Sequence, residues 1–323
     1  MLSLLAAHAL AAAPPPIVNG DTTSDYEEVV LLYMTDSSGR QGGMCTGSVI
    51  SDRWVLTASH CVKDSGGFTI ERIYVIFADS LNSAEQSDIV NASDWFAHPE
   101  YSSRTGEHDI ALVKMSQKVD GPYMALAGDN FRQRDRGEEF RLVGFGATSD
   151  NDASSNPKKR VAEVPLYDYT DLLVYTYDPD DGQNACYGDS GGPMMRLYED
   201  GTYAIAGIMD FVSGCEDGYL GSARVDAHLD WISEYTEDYT LGGEEVEDEP
   251  AEDDEDDKDD VPGTGDGDGT GTDDESGDDD DGGLLDASSD SGWGCAVVPA
   301  AGGVSSLLGA LAMTLAAGTR RRR

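Results

Sequence analysis

The sequence predicts an all-β domain, formed by two barrels or a sandwich and closed by one C-terminal helix. Two observations predict this fold class. Short β-prone runs separated by clusters of Gly, Asn, Asp and Ser fill residues 17–240. Sustained helical periodicity occurs only from Asp226 to Tyr235, with Asp226 at the predicted N-cap. We predict strands at Glu28 to Met34, Trp54 to Ala58, Arg72 to Ala78, Asp109 to Met115, Glu139 to Gly144, Arg160 to Leu166 and Tyr203 to Phe211.

Charge and composition divide the chain near Leu241. The 323 residues carry a net charge of -42; residues 241–292 contribute -23 through 24 acidic side chains and the single Lys258, and the four C-terminal arginines supply +4. Residues 1–240 carry the remaining -23, and a domain this acidic repels nucleic acid and anionic membrane surfaces. We therefore expect a monomer that acts on neutral or basic polypeptides and binds no nucleic acid.

Residues 241–292 are rich in Asp, Glu and Gly and nearly free of aromatic side chains. Such a segment cannot bury enough apolar surface to offset the entropy lost on ordering, so we predict a disordered stalk. As a flexible chain it would span about 40 Å, and more because like charges repel. The Asp-Gly steps at residues 265–269 lack the spacing and closing Glu of an EF-hand, which favours a solvated charge run over a calcium site. No cofactor or metal is predicted.

Residues 1–13 form a short apolar run that ends in small residues, a pattern typical of the later part of a secretory signal. The basic stretch that opens such signals is missing. Either export works without it or the true start lies upstream, and we favour the second interpretation. Residues 14–16 would then be a short propeptide. Export to an oxidising compartment makes disulfide bonds feasible.

At the other end, an apolar run from Ala296 to Gly318 follows Cys295 and leads to the cluster Arg320 to Arg323. About 20 residues suffice to cross a bilayer, so residues 293–323 are predicted to be a membrane anchor or sorting segment. They resemble the C-terminal sorting tails of bacterial surface proteins, particularly the myxobacterial kind. That resemblance implies a processed tail with Cys295 as the anchoring position, and a protein held at the cell surface or released from it. The alternative is an ordinary transmembrane anchor in which Cys295 has no role.

Three short motifs carry the residues of a hydrolytic site. Residues 188–193 read Gly-Asp-Ser-Gly-Gly-Pro, where the glycines let the backbone turn tightly and expose a serine hydroxyl beside free N–H groups. Serine needs a base to take its proton, and Thr-Ala-Ser-His-Cys at residues 57–61 offers a histidine at the end of an apolar strand. His-Asp-Ile-Ala-Leu-Val at residues 108–113 offers a carboxylate at the head of another strand.

Taken in this order, the three motifs resemble the chymotrypsin-like serine peptidases over residues 17 to about 236. The resemblance implies two antiparallel six-stranded β-barrels and hydrolysis through an acyl-enzyme. His60 would be the general base and then acid, Asp109 would hold its tautomer, and Ser190 would be the nucleophile. The backbone N–H groups of Gly188 and Ser190 would bind the oxyanion. The alternatives are a buried core histidine at His60 and a mere turn at Ser190.

The same resemblance implies two disulfide bonds. Cys45 and Cys61 match the bridge beside the catalytic histidine, and Cys186 and Cys215 match the bridge that frames the specificity pocket. Closing a loop of about 15 residues contributes about 3 kcal/mol in the chain-entropy model.

Ile-Val-Asn-Gly at residues 17–20 resembles the mature N-terminus of that family. The resemblance implies that a new ammonium on Ile17 folds inward and pairs with Asp189, which makes Asp189 part of an activation switch and not a catalyst. Residues 14–16 are all proline where a cleavable Lys or Arg is expected. Another peptidase or stepwise trimming must therefore expose Ile17, unless the chain needs no trimming.

The residues that match the family's specificity pocket predict a shortened, mostly apolar slot. Asn184 stands where trypsin-like members carry Asp, so no fixed anion awaits Lys or Arg. Val212 replaces a glycine of the pocket wall, and Leu220 is expected nearby. Asp210 replaces a serine close to the triad carboxylate, so either one of two neighbouring carboxyls has a raised pKa, or Asp210 turns toward the pocket and attracts a basic group.

The sequence therefore predicts a secreted, surface-tethered serine endopeptidase with a preference for small or medium aliphatic residues. A non-catalytic homologue that binds proteins at the surface is the alternative, and a cation-binding adhesin is the third possibility. His98 and His108 match only loop patterns of the family and are interpreted as structural.

Overall fold

The computed structural model describes residues 17–63, 68–149, 157–242 and 296–297. These residues belong to one compact unit, and the second unit, Glu245–Asp290, lies outside the described residues. The predicted signal, the propeptide, nearly all of the acidic stalk and Cys295 also lie outside them.

The described residues form strands, two short α-helices and a few 3-10 turns. The helices are α1 (Ser59–Val62) and α2 (Leu229–Ser233). The strands are β1 (Asp21–Thr22), β2 (Val29–Thr35), β3 (Gly42–Val49), β4 (Trp54–Thr57), β5 (Arg72–Ile76), β6 (Ile89–Ala97), β7 (Ala111–Met115), β8 (Ala125–Ala127), β9 (Glu139–Gly144), β10 (Arg160–Tyr169), β11 (Leu173–Thr176), β12 (Pro193–Leu197), β13 (Tyr203–Val212), β14 (Leu220–Arg224), β15 (Leu241–Gly242) and β16 (Ala296–Val297).

The first barrel is built from β2 to β7. Its strands run in the order β3-β2-β5-β6-β7-β4, and pairing of β4 with β3 closes the ring. All of these pairings are antiparallel. Strand β2 reads Val-Val-Leu-Leu-Tyr-Met-Thr and is buried at all seven positions, which a continuous apolar run allows.

The second barrel follows the order β12-β9-β10-β11-β14-β13, and β13 closes it by pairing with β12. Its core packs around Phe140, Leu142 and Met194. Strands β8 and β15 extend one edge through parallel pairs, and β1 pairs with β10. The predicted architecture of two six-stranded antiparallel barrels with a short C-terminal helix is thus confirmed.

The C-terminal helix differs from its prediction at the start. Asp226 is not an N-cap but the first residue of a 3-10 turn, Asp226–His228, which leads into α2. Its carboxylate binds the guanidinium of Arg224, with Nε of Arg224 3.1 Å from Oδ1 of Asp226. Val225 is the N-cap of this turn, so Asp226 lies one residue past the capping position, and no side chain caps the turn.

Strand β16 lies far along the chain from the barrel that it joins. Ala296 and Val297 pair antiparallel with Met44 and Gly43 at the edge of β3. Among the described residues, no helix has the length and apolar character needed to cross a membrane.

Candidate functional site

His60 and Asp109 meet because two neighbouring strands of the first barrel position them. Strand β4 ends three residues before His60, which lies in α1, and β7 begins two residues after Asp109. Thr57 of β4 pairs with Ala111 of β7, so the two flanking segments lie side by side. The Nδ1 of His60 is 2.5 Å from Oδ2 of Asp109, and the backbone N–H of His60 donates to Oδ1 at 2.8 Å.

The environment of Asp109 keeps its carboxylate ionised. Burial alone would raise the pKa of this fully buried group. The charge of His60 and hydrogen bonds from Asp210 and His60 outweigh burial, so the pKa of Asp109 is lowered. A carboxylate in this position fixes the Nδ1–H tautomer of the imidazole, which leaves Nε2 able to accept a proton.

Ser190 lies in a tight loop that is tied to the first barrel through Thr46. Gly188 and Gly191 have φ of 100° and 81°, values that side chains rarely adopt. The backbone N–H of Thr46 donates to the carbonyl oxygen of Ser190 at 2.8 Å, and its hydroxyl donates to that of Gly188 at 2.9 Å. A Cβ on Gly191 would lie 2.1 Å from the hydroxyl of Thr57, so any larger residue there would displace the loop.

This loop leaves two donors available. Within the part of the chain that the structure describes, the backbone N–H groups of Gly188 and Ser190 donate to no protein acceptor. Ser190 itself is only partly buried, whereas Gly188 and Asp189 are buried. The arrangement can therefore present a hydroxyl and two backbone donors to one bound group.

Both predicted disulfide bonds are confirmed. Cys45 is bonded to Cys61, which joins β3 to the helix that carries His60. Cys186 is bonded to Cys215, which joins the segment before Ser190 to the loop that follows β13. The two bonds thus hold both segments of the site to their barrels.

Asp210 lies on the triad side of its strand because β13 is irregular there. The register of β13 against β14 shifts between Met209 and Phe211, and this bulge re-aims the residue between them. Oδ1 of Asp210 lies 3.7 Å from Nδ1 of His60. Of the two positions considered for this side chain, the structure thus places it beside Asp109 and His60.

The pKa values of the two buried carboxyls shift in opposite directions. Burial, followed by the charge of Asp109 and a hydrogen bond to it, raises the pKa of Asp210 well above its ordinary value. Both oxygens of Asp210 are buried and accept no hydrogen bond from the described residues. A protonated Asp210 that donates to Asp109 accounts for both observations.

Ile17 and Asp189 both lie in the interior. Ile17 is fully buried with φ of 39°, an unusual value for a β-branched residue. Asp189 is fully buried and accepts hydrogen bonds from the N–H groups of Gly146, at 2.7 Å, and Cys186, at 2.9 Å. Burial nevertheless raises the pKa of Asp189 to about 7, since these bonds and the distant charge of Arg160 compensate only in part.

The residues predicted for the specificity pocket come from two parts of the second barrel: Asp210, Val212 and Leu220 lie on strands β13 and β14, and Asn184 lies in the segment before Ser190. Val212 pairs with Leu220 across the two strands. The amide nitrogen of Asn184 donates to the carbonyl oxygens of Gly214 and Gly218, both at 3.0 Å. Its oxygen accepts a hydrogen bond from the backbone N–H of Ala185, so both the nitrogen and the oxygen of this side-chain amide are bonded to backbone groups.

Comparison with known proteins gives one family and several relatives. The family described as Trypsin matches residues 17–232. The chain is 30% identical to the human chymotrypsin-like elastase family member 3B, covering 72% of this chain and 95% of that protein. It is 30% identical to brachyurin of Leptuca pugilator, covering 59% of this chain and 87% of that protein. It is 28% identical to the proclotting enzyme of Tachypleus tridentatus, covering 63% of this chain but only 62% of that longer protein.

Proposed function

The chain belongs to the trypsin family of serine endopeptidases, and from this premise we propose that it hydrolyses peptide bonds through an acyl-enzyme formed on Ser190. The observation that carries the proposal is the 2.5 Å contact between Nδ1 of His60 and Oδ2 of Asp109. That contact prepares His60 to act as a base. Thr46 holds the loop of Ser190 against the same barrel, which supports Ser190 as the partner of His60.

The proposed reaction proceeds in two steps. Nε2 of His60 takes the proton of the Ser190 hydroxyl as the oxygen attacks the scissile carbonyl carbon. The N–H groups of Gly188 and Ser190 bind the oxyanion, and one such donor is worth about 3 kcal/mol in enzymes of this type. His60 then gives its proton to the leaving amine, Asp109 balances the imidazolium, and a water molecule repeats the sequence to release the acid.

The proposed specificity is for small or medium aliphatic residues on the acyl side of the scissile bond. Val212 is partly exposed and pairs with Leu220, which packs in the core of the second barrel, so in this proposal Val212 is the apolar side chain that narrows the slot. The amide of Asn184 is already bonded to backbone oxygens, so it offers no counter-charge to a cation. Asp210 is engaged beside Asp109, which argues against a role for it in binding basic residues.

The proposed activation requires a free ammonium on Ile17. Both Ile17 and Asp189 are fully buried, and the carboxyl of Asp189 faces only two backbone donors at short range. A buried carboxylate gains strongly from a cationic partner, and the ammonium of Ile17 would be that partner. Because residues 14–16 are prolines, a separate peptidase would have to make the cut.

We further propose that the protein is secreted and held at a cell surface by residues 293–323, and that it acts as a monomer on polypeptides. Two disulfide bonds support an oxidising compartment. The tethering part of the proposal rests on the sequence of the tail alone.

A fluorophosphonate probe tests the catalytic proposal on the full chain with Ile17 as its N-terminus. We expect covalent labelling at Ser190 and loss of the label in His60→Ala, since labelling requires an activated nucleophile. An exposed serine, Ser103, should stay unlabelled in both proteins. Absence of labelling at Ser190 would favour the non-catalytic binding protein or the surface adhesin instead.

A further inference from the structure

Three histidines from distant parts of the sequence converge beside the triad. His98 directly follows β6, His108 lies just before β7, and His228 ends the 3-10 turn Asp226–His228. Each ring offers one nitrogen, and the three nitrogens lie within 4.8 Å of one another. His98 and His228 are buried, and His108 is partly exposed. We propose that His98, His108 and His228 form a binding site for a divalent transition-metal ion, with zinc as the best fit.

The proton positions prepare two of the rings for a metal. Nδ1 of His228 lies 2.6 Å from the carbonyl oxygen of Arg224, so this nitrogen carries the proton and donates it. Nε2 of His228 therefore keeps its lone pair, and it faces Nδ1 of His108 at 3.0 Å. A metal-bound histidine commonly donates its second N–H to a backbone carbonyl in this way.

The spacing of these nitrogens suits a small tetrahedral ion. Two histidine nitrogens on a tetrahedral zinc, each at about 2.0–2.1 Å, lie about 3.3 Å apart. The 3.0 Å separation between His108 and His228 is close to that value. Nδ1 of His108 donates its proton to Nε2 of His228 in this arrangement, and binding of a metal to Nδ1 would move that proton to Nε2 of the same ring, so each imidazole stays neutral.

His98 can serve as the third metal ligand at the cost of at most one hydrogen bond. Its ring stacks on that of His108, with centroids 4.7 Å apart, and meets the ring of His228 edge-on at 5.2 Å. Nδ1 of His98 accepts one hydrogen bond, at 3.2 Å, from the backbone of the exposed Glu100. A small rotation toward the metal would cost at most that bond, which water can replace. Three histidines leave the fourth position of zinc to water.

The pKa values of two of the three rings, His98 and His228, are lowered. Burial, followed by the proximity of His228 and His108, lowers the pKa of His98 to about 4. Burial also lowers the pKa of His228, although its bond to the carbonyl of Arg224 opposes the effect. Both rings are therefore neutral at pH 7, and a neutral imidazole is the ligand that zinc requires.

The cluster is joined to the segments that hold the triad. His108 directly precedes Asp109 in the chain. The backbone N–H of His98 lies 3.0 Å from the hydroxyl of Ser59, the residue before His60, and that hydroxyl donates to the carbonyl of Ile110. A bound ion would therefore fasten together the two loops on which His60 and Asp109 depend, and it would stabilise the folded domain by mass action.

The test uses the full chain carrying Ser190→Ala, freed of metal with a chelator and titrated with Zn²⁺ by calorimetry. We expect one strongly bound ion per chain and a rise in melting temperature. His108→Asn and His228→Gln should each weaken binding by about tenfold or more and remove that rise. Asn tolerates the φ of 57° found at His108, so this variant should fold.

His60→Ala in the same background is the matched control, because His60 with Asp109 and Asp210 forms another group among the described residues that could hold a metal. It should bind the ion as tightly as the parent. All variants share the acidic tail and Cys295, so any zinc held there cancels in the comparison. Cobalt(II) in place of zinc should give the visible absorption of a tetrahedral site in the parent and not in His108→Asn.

The proposal fails if His108→Asn binds zinc as tightly as the parent, or if binding is lost in His60→Ala instead. Should His228→Gln not fold, His108→Asn alone decides the question. None of these measurements depends on peptidase activity, so they stand apart from the proposed catalytic function.

Discussion

Oδ1 of Asp210 lies 3.7 Å from Nδ1 of His60, the same nitrogen that Asp109 binds at 2.5 Å. Two carboxyls thus face one imidazole nitrogen in a buried site. Burial and the charge of Asp109 raise the pKa of Asp210 well above its ordinary value, which favours a protonated second carboxyl that can donate to the first. The consequence is a dependence of stability on pH that a neutral side chain would not show.

We predict that Asp210→Asn, made in the Ser190→Ala background, is more stable than its parent at high pH and nearly equal to it at low pH. A raised pKa in the folded state stabilises the fold fully below the unfolded value of 3.8 and loses that contribution as pH rises through the folded value. Urea denaturation from pH 4 to pH 9 measures the difference in the free energy of unfolding between the variant and its parent. A difference that does not change with pH would contradict a protonated Asp210.

With Ser190 intact, the same substitution should preserve peptidase activity near neutral pH, because an amide N–H can also donate to Asp109. Asp210→Ala, which has no donor, should have a lower kcat with little change in KM. This pair of variants separates a positioning role for Asp210 from a role in binding substrate, which would change KM first.

Ser190→Ala should abolish peptide hydrolysis while the domain still folds. Loss of the nucleophile in serine peptidases lowers kcat by a factor on the order of 10⁶. Circular dichroism and the melting temperature should match the parent, since the side chain is partly exposed and its loop is held by backbone bonds to Thr46. Ser103→Ala, at an exposed serine, should leave activity unchanged. Substantial turnover by the Ser190 variant would rule out the acyl-enzyme mechanism.

Protein that begins at Ile17 should be much more active than protein that begins at Ala12. The two forms should also differ in how their stability depends on pH. Without the ammonium, the pKa of Asp189 is raised to about 7, so the uncut form loses stability as pH rises from about 4 through 7. An ammonium paired with Asp189 would remove this loss. Denaturation of both forms at pH 5 and pH 8 measures the change in the free energy of unfolding, and Asp189→Asn serves as the control. The same change in both forms would show that the switch is not used.

Peptides that end in Ala or Val should be cleaved in preference to those that end in Phe or Arg. In the proposed slot the side chain of Val212 would leave little room for an aromatic ring, and an unpaired buried cation costs several kcal/mol. Val212→Gly, at a partly exposed position, should raise cleavage after Phe by about tenfold, in line with the effect of a few methylene groups in an apolar pocket. Chromogenic peptides provide the assay. A clear preference for Arg would overturn this specificity and direct attention back to Asp210.

The sequence predicts the fold because the strands depend on local signals, and the disulfide pairing is predicted from the family resemblance. Short apolar runs define the strands, and motifs of five or six residues place His60, Asp109 and Ser190 near strand ends. Two features depend on long-range packing and left no such signal. The side chain of Asp210 is aimed by a bulge that exists only once β13 pairs with β14. His98 and His228 come together from positions 130 residues apart, and no spacing in the sequence relates them.

The cap of the last helix shows the opposite error, in which a local signal places the N-cap one residue too late. Asp226 has the right residue type for an N-cap, but the turn begins at Asp226 itself and Val225 occupies the cap position. The carboxylate instead binds the guanidinium of Arg224, and no side chain caps the turn.

The positive φ of Ile17 affects the free energy of cleaving the peptide bond that precedes this residue. This torsion is defined by four atoms, and one of them belongs to residue 16. A β-branched residue held at such an angle stores about 1–3 kcal/mol, and cutting the chain before Ile17 abolishes the torsion along with its cost. The strain therefore adds to the free energy of hydrolysis of that one peptide bond. Rejoining the ends would have to restore that strain, so resynthesis of this bond is disfavoured by the same amount even while the released peptide remains close to the domain.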